Sequence, residues 1–170
     1  MKIINCTPDD IEEIKRLYQH AVVLQKRYNA VAWPHFSDDF IKSEIEEKQV
    51  WKLLINHRIG CVWSTAFSDP KIWLQKKDEP AIYLHRIATS PDFRGRFLVK
   101  EIVEWSKAYA KALGKAYIRM DTVGNNSSLI NYYSKCGFQF LGLFPLHDTS
   151  GLPAHYHNAQ VSLFEISLVR

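Results

Sequence analysis

The most informative segment of the chain reads Leu84-His85-Arg86-Ile87-Ala88-Thr89-Ser90-Pro91-Asp92-Phe93-Arg94-Gly95-Arg96. Its first part belongs to a predicted β-strand that Ser90-Pro91 ends, and an apolar pattern at helical spacing begins at Leu98. A strand therefore runs through a short basic loop into a helix. The first N–H groups of a helix lack intrahelical partners, and the helix dipole is positive there, so this arrangement favours an anion. Because Arg94 and Arg96 add positive charge, the segment predicts a pyrophosphate site.

Two other interpretations of Arg94-Gly95-Arg96 stay open at this point. A basic triplet in a loop is common on solvated surfaces and does not by itself indicate a ligand. A nucleic-acid patch is the other alternative, but no further basic cluster or nucleic-acid motif accompanies the triplet.

A second motif follows the next predicted strand and strengthens the first. Asn126 is followed seven residues later by Tyr133-Ser134-Lys135-Cys136-Gly137-Phe138. Together with Pro91-Asp92-Phe93-Arg94-Gly95, this segment resembles the sequence signature of the GNAT superfamily of N-acetyltransferases. The resemblance is strong over residues 82–142 and extends to the whole chain through the order of elements. Two motifs at the expected separation are more specific than either one alone.

The resemblance implies an acetyl-CoA-dependent N-acetyltransferase that acetylates a primary amine of a small-molecule or peptide acceptor by direct transfer. Acetyl-CoA would be the co-substrate, and no metal is expected. The strand before the loop would bind the pantetheine arm and polarise the thioester through its backbone at Ile87, Ala88 and Thr89. The loop and the first helical turn would cradle the pyrophosphate through Arg94, Gly95, Arg96, Phe97, Leu98, Val99 and Lys100. Asn126 would contact the pantetheine arm, and Tyr133 would protonate the departing thiolate of coenzyme A.

The chemistry of these residue types suits the implied roles. A phenol is protonated at neutral pH and can donate a proton to a thiolate. His85 stands where many members of the family carry a carboxylate base, and histidine has a suitable pKa for that role. A packing histidine and a water chain stay open as alternatives.

The loop departs from the family pattern, because Phe97 and Val99 replace two glycines. Glycine allows close approach of the backbone and positive φ values. We expect the loop to follow a standard helical course with its N–H groups still facing the ligand. The alternative is reduced cofactor affinity, and it motivates a rival hypothesis: a catalytically weak or inactive acyl-CoA-binding module of the same fold.

The fold class that the chain predicts is α/β (α+β), the acyl-CoA N-acyltransferase fold. It should contain a mixed, mostly antiparallel sheet of six or seven strands with helices on both faces, within a single domain over residues 1–170. Strands are predicted at residues 3–6, 51–55, 59–67, 81–89, 116–122, 138–144 and 161–169. Helices are predicted after Thr7, at 37–47, from Leu98 to Gly114 and at 127–136, the last with Ser127 as an adequate N-cap. Residues 68–80 are interpreted as a loop, and the cofactor is expected between the strands at 81–89 and 116–122.

Composition limits the other classes of function. The net charge of +4 is mildly basic, and the three cysteines show no paired spacing. Neither a disulfide framework nor a zinc site follows, and His147, His155 and His157 lack a further ligand at recognisable spacing. No apolar run is long enough to span a membrane. The default expectation is a cytoplasmic protein without nucleic-acid or membrane partners, with a homodimer left open.

Aromatic residues outside these motifs are candidates for acceptor contacts. Trp33, His35 and Phe36 lie in the predicted loop between the first two helices, a region that shapes acceptor pockets in the family. The segment between the last two strands borders the acceptor site in the same way. Trp63 and Trp73 are interpreted as either core or pocket-wall residues.

Overall fold

A computed structural model describes residues 1–169 and contains a seven-stranded sheet in the order β1-β2-β3-β4-β5-β7-β6. The strands are Lys2–Asn5 (β1), Val50–Ile55 (β2), Arg58–Ala66 (β3), Ala81–Thr89 (β4), Tyr117–Val123 (β5), Gln139–Pro145 (β6) and Gln160–Ser167 (β7). The helices are Ile11–Arg27 (α1), Asp38–Glu46 (α2), Pro70–Trp73 (α3), Leu98–Ala112 (α4) and Ser127–Lys135 (α5). The β4 and β5 strands pair in parallel, whereas β1 with β2, β2 with β3, β5 with β7 and β6 with β7 are antiparallel. The predicted mixed, mostly antiparallel fold is thereby confirmed.

Local sequence explains where these elements begin and turn. Thr7 and Asp10 form a capping box ahead of α1, and Ser37 caps α2 by accepting a hydrogen bond of 3.2 Å from the Phe40 N–H. The Ser37 hydroxyl satisfies a helix N–H group that would otherwise lack a partner, and the Asp10 carboxylate accepts a hydrogen bond from the Thr7 N–H. The β2–β3 hairpin turns at Asn56 and His57, which both adopt positive φ, as tight hairpin turns require.

The chain forms two compact units, of which the first comprises Met1–Thr65 and Leu84–Leu98. Its apolar core joins α1 and α2 to strands β2, β3 and β4. The buried members are Cys6, Ile14, Leu17, Tyr18, Phe36, Ile41, Ile45, Val50, Val62 and Ala88. Burial of this apolar face stabilises both helices, because most of the stability of a helix in a protein comes from packing of its apolar face.

The second unit comprises Ala66–Tyr83 and the chain from Val99 onward. Its apolar cluster contains Ile72, Trp73, Ala81, Tyr83, Leu146, Val161 and Leu163. The prediction of a single domain over residues 1–170 is not tested by this division and stays a prediction.

The segment predicted as a loop at residues 68–80 contains short helical turns. Helix α3 is followed directly by a 3-10 turn at Leu74–Lys76. Pro70 at the first helical position favours this start, and the side chains of Ile72 and Trp73 are almost fully buried. Four residues are too few for a periodic apolar pattern, so tertiary burial decides the conformation here.

Candidate functional site

The second half of β4 and the loop after it belong to the first unit. The parallel ladder between β4 and β5 comprises three residue pairs, 81–83 with 117–119, at the beginning of β4. Farther along β4, Ala88 is buried, whereas Ile87 and Thr89 are partly exposed. The strand ends at Thr89, and the N–H of the next residue, Ser90, donates a hydrogen bond of 2.9 Å to the Gly60 carbonyl oxygen.

The loop after β4 is basic and open to solvent. Phe93 is buried and anchors it, while the guanidinium groups of Arg58 and Arg96 lie 5.4 and 5.3 Å from the centre of the Phe93 ring. Arg94 and Arg96 are exposed. Gly95 has a φ of +80°, and a Cβ atom there would meet nothing within 4 Å, so its backbone faces open space. The loop is therefore exposed around Gly95 and carries positive charge on both sides of it.

Phe97 does not follow the standard helical course expected from the sequence. Its φ is +53°, in the left-handed region, and its side chain is 46% exposed. The expectation of a regular course is wrong because the backbone just before α4 is left-handed at Phe97, a conformation that the lost glycine would have allowed at lower cost. Val99 lies inside α4 and is 2% exposed, so it needs no glycine-like backbone.

Helix α4 begins at Leu98, and its first turn follows this loop without a break. Leu98 and Val99 are buried, which fixes the helix start, and Lys100 is exposed. The N–H groups of a first turn, the helix dipole and the exposed cations of the loop all favour negative charge. This local arrangement is what the sequence predicts for a diphosphate.

Asn126 and Tyr133 lie in the second unit, on and just before α5. The Asn126 side-chain oxygen accepts a hydrogen bond of 3.1 Å from the Leu129 N–H, so Asn126 is the N-cap. Ser127, predicted as the cap, is the first residue of the helix instead. Asn is at least as good a cap as Ser. From position 126 its side-chain oxygen reaches the N–H of Leu129, the third residue of the helix.

Tyr133 is partly buried against other aromatic rings. Its ring centre lies 5.3 Å from that of Phe164, 5.4 Å from that of Tyr132 and 6.2 Å from that of Phe138. These contacts hold the ring between the helix and strand β7. The packing thereby fixes the position of the Tyr133 ring, and a group that donates a proton must be positioned in this way.

His85 lies in β4 beside Arg86 and is partly buried. Burial lowers its pKa to about 3, with a further contribution from the positive charge of Arg86. The imidazole is therefore neutral at pH 7, and its conjugate acid would lose a proton readily. This electrostatic setting disfavours the predicted base role, which stays a prediction.

The second unit contains a pair of carboxyl groups that the sequence analysis did not single out. Oxygen atoms of Asp69 and Asp121 lie within 4.8 Å of each other, and the Tyr156 hydroxyl donates a hydrogen bond of 2.9 Å to Asp121. Burial raises the pKa of Asp69 to about 8, and the charge of Asp121 adds to this effect. Burial likewise raises the pKa of Asp121 to about 6, although the Tyr156 hydrogen bond opposes it. Both carboxyl groups therefore titrate closer to neutral pH than an ordinary aspartate does.

A sequence signal for this pair does exist. Asp121 lies within a predicted strand, where aspartate is depleted, and a buried acid is uncommon unless it is partnered or functional. Asp69 gives no such signal, because an Asp before a Pro in a polar segment is typical of a turn.

The aromatic candidates for acceptor contacts divide by burial. Trp63 and Trp73 are 0% and 2% exposed, so they are core residues. Phe36 is also buried, and the Trp33 ring packs edge-on against Tyr18. His35 is exposed.

The three histidines of the last loop do not share one strand. His155 lies in a 3-10 turn, Ala154–Tyr156, and its ring is tilted against that of Tyr156 with ring centres 4.2 Å apart. His147 and His157 are exposed. The expected absence of a metal stays a prediction.

Comparison with known proteins identifies the family. The family model described as "Acetyltransferase (GNAT) family" matches residues 12–138. The chain belongs to the GNAT acetyltransferase family. The matched range contains β4, the basic loop, Asn126 and Tyr133, so the resemblance noted in the sequence is confirmed.

A curated relative is also named as an N-acetyltransferase, in agreement with this family assignment. The chain is 32% identical over 74 residues to the uncharacterized N-acetyltransferase YesJ of Bacillus subtilis (strain 168). That match spans 44% of this chain and 41% of YesJ, less than half of each.

Solved GNAT structures share the fold along the whole chain. A GNAT acetyltransferase of Streptococcus agalactiae 2603 has a TM-score of 0.77 at 17% identity, covering 99% of this chain and 96% of its own. One from Listeria monocytogenes 4b F2365 has a TM-score of 0.76 at 21% identity, covering 98% and 94%. The yncA acetyltransferase of Salmonella typhimurium, solved with its cofactor acetyl-CoA, has a TM-score of 0.69 at 16% identity, covering 100% and 95%. At these identities the likeness shows the fold alone.

Within residues 1–169, none of the helices combines the length and the apolar composition that crossing a bilayer needs.

Proposed function

We propose that this GNAT protein transfers the acetyl group of acetyl-CoA directly to a primary amine of a small-molecule or peptide acceptor. The observation that carries the proposal is the open basic loop leading into α4, inside the range that the family model matches. The YesJ relative is named an N-acetyltransferase, and yncA was solved with acetyl-CoA, which supports the same chemistry.

The cofactor sites follow from β4 and its loop. The ladder with β5 occupies only the beginning of β4, which supports assigning the later backbone positions, Ile87 to Thr89, to the pantetheine arm and the thioester. Backbone N–H groups aimed at a thioester oxygen stabilise the charge that develops there. The exposed loop residues from Arg94 and the first turn of α4 through Lys100 suit the diphosphate in charge and in exposure.

Proton transfers assign the remaining roles. The amine nitrogen attacks the thioester carbonyl carbon, the carbon–sulfur bond breaks, and Tyr133 donates a proton to the departing thiolate. The attacking nitrogen must also lose a proton to a base. A histidine with a pKa of about 3 is a weak proton acceptor, whereas Asp121, with its pKa raised to about 6, is mostly ionised at pH 7 and is the better matched candidate for the base.

Two measurements in sequence test this proposal. Titration calorimetry with coenzyme A and acetyl-CoA should give saturable binding, and a screen of primary amines with acetyl-CoA should then release free thiol with at least one amine. No heat of binding at millimolar cofactor would contradict the cofactor site. Binding without thiol release from any amine would favour the inactive acyl-CoA-binding module instead.

A further inference from the structure

Arg86 has an unusual backbone conformation for a residue inside a strand. Its φ is +50°, and among residues 1–169 it is the one non-glycine residue with positive φ that lies within a β-strand. Residues other than glycine adopt this left-handed backbone conformation at a cost in free energy. Such an outlier therefore persists only where surrounding contacts hold it. A left-handed residue in a strand also changes the direction of the backbone that follows, as in a β-bulge.

The side chain of Arg86 supplies contacts that can hold the backbone there. Its Nη2 atom donates hydrogen bonds to the Glu44 carboxylate, 2.6 Å from Oε2, and to Ser64 Oγ at 2.7 Å. Its Nε atom lies 3.4 Å from the Tyr18 hydroxyl oxygen. The Arg86 and Glu44 side chains are only 14% and 16% exposed, so solvent screens this ion pair weakly.

Aromatic rings complete the surroundings of the guanidinium group. Its central carbon lies 5.2 Å from the ring centre of Phe36 and 5.1 Å from that of Phe40. Those two rings stack with their centres 5.6 Å apart, and Phe36 packs edge-on against Tyr18. One arginine thus joins β4 to α1, α2, β3 and the segment before α2, all within the first unit.

We infer that Arg86 is a positioning residue, whose side-chain contacts to Glu44 and Ser64 hold β4 in the conformation that presents Ile87 to Thr89 to the pantetheine arm. The inference rests on the proposed function. Ala88, two residues later, belongs to the same buried cluster as Tyr18 and Phe36, so the strand is fixed on both sides of Ile87.

The inference predicts that two parts of the cofactor respond differently. Acetyl-CoA contacts the strand and the loop, whereas 3′-phosphoadenosine 5′-diphosphate lacks the pantetheine arm and can use only the loop and the start of α4. Loss of the Arg86 contacts should therefore weaken acetyl-CoA binding and leave binding of the fragment almost unchanged. General loosening of the fold would weaken both.

Calorimetry with these two probes tests the inference on the full chain. Arg86→Gly keeps the positive φ accessible and removes the guanidinium, and Glu44→Gln keeps the side-chain shape and removes the charge. Each should raise the Kd for acetyl-CoA about tenfold while the Kd for the fragment changes less than about twofold. Arg86→Lys should raise the Kd for acetyl-CoA less than Arg86→Gly does, because an ammonium can still pair with Glu44. Glu46→Gln, an exposed carboxylate on the same helix, is the matched control and should change neither constant.

Each other outcome counts against the inference. A parallel loss of both ligands, or no loss of either, in variants that unfold cooperatively would overturn it. If Arg86→Gly fails to fold, Glu44→Gln and Ser64→Ala carry the same comparison. A wild-type protein that binds neither probe would refute the cofactor site itself, whereas normal wild-type binding with unaffected variants would refute only the role of Arg86.

Discussion

Nε of Arg119 donates a hydrogen bond of 2.7 Å to Oε2 of Glu165, and both side chains are more than nine-tenths buried. The central carbon of the guanidinium group lies 4.7 Å from the ring centre of Trp73 and 4.8 Å from that of Tyr117. Its Nη1 atom donates to the carbonyl oxygen of Lys76 at 2.8 Å. A charge buried this deeply must be paired, so these contacts make Arg119 central to the second unit.

Replacing Arg119 by methionine should lower the free energy of unfolding by about 3 kcal/mol, the lower end of the range for breaking a buried ion pair. The lower end applies because the Lys76 ammonium, 3.1 Å from Glu165 Oε1, still partners the carboxylate. Urea unfolding followed by circular dichroism measures the change. Lys107→Met is the control, since its pair with Glu104 is exposed and should contribute less than about 1 kcal/mol. A loss at Arg119 no greater than the control would contradict a structural role for this pair.

The positive φ of Phe97 predicts an inverted preference between glycine and alanine. Both substitutions remove a half-exposed ring, but only alanine keeps the strain of the left-handed conformation. Phe97→Gly should therefore be more stable than Phe97→Ala by about 1 kcal/mol. Urea unfolding of the two variants gives this difference directly.

Arg96 offers the matched comparison for this prediction, because its φ is not positive. There, Arg96→Gly should be less stable than Arg96→Ala by about 0.5–1 kcal/mol, the ordinary entropic effect of glycine. The same order at both positions would show that the Phe97 backbone is not held in the left-handed region in solution.

Most of the fold could be predicted because the strands and long helices carry clear patterns. Strand β4 matches the predicted range, and the other strands differ by one or two residues at their ends. Helix α3 was missed because it spans four residues and depends on burying Ile72 and Trp73, not on periodicity. Local patterns therefore identify long elements and fail where tertiary packing decides a short one.

The backbone around the candidate site was predictable where a sequence motif encodes its geometry, and the chemistry of its side chains was less predictable where their environment sets it. The basic loop and the Asn126 position follow from local sequence. The backbone conformation of Phe97 does not follow from local sequence, because an aromatic residue rarely adopts positive φ and no neighbouring residue indicates it. Similarly, burial determines the pKa of His85 and of the Asp69–Asp121 pair, and burial depends on residues distant in the chain.

Asp69 predicts a pH dependence of stability. Its pKa is raised to about 8 in the folded state, whereas an unfolded Asp has an ordinary pKa near 3.9. Between these values the folded protein binds more protons than the unfolded chain, so the contribution of Asp69 to stability falls as pH rises. Asp69→Asn removes the titrating group. Its stability relative to wild type should therefore increase from pH 5 to pH 8, by at most about 1.4 kcal/mol per pH unit.

Urea unfolding of both proteins at pH 5, 6, 7 and 8 measures this trend. Asp148→Asn is the contrasting control, because hydrogen bonds from Ser150 and Lys71 lower the pKa of Asp148 to about 2. That group stays ionised over the whole range, so its substitution should give a constant offset. A constant offset for Asp69→Asn as well would mean that this carboxyl is ionised throughout.

The phenol of Tyr133 should be required for the chemical step and not for cofactor binding. With an amine identified in the thiol-release screen, Tyr133→Phe should lower kcat by about 10²-fold or more, because the departing thiolate loses its proton donor. The KM for acetyl-CoA should change little, since the ring packing on Phe164 and Phe138 is kept. Tyr132→Phe, which removes the neighbouring hydroxyl from the same helix, serves as the matched control and should retain nearly full activity. Equal losses in the two variants would indicate a role for α5 packing and would remove Tyr133 as the acid.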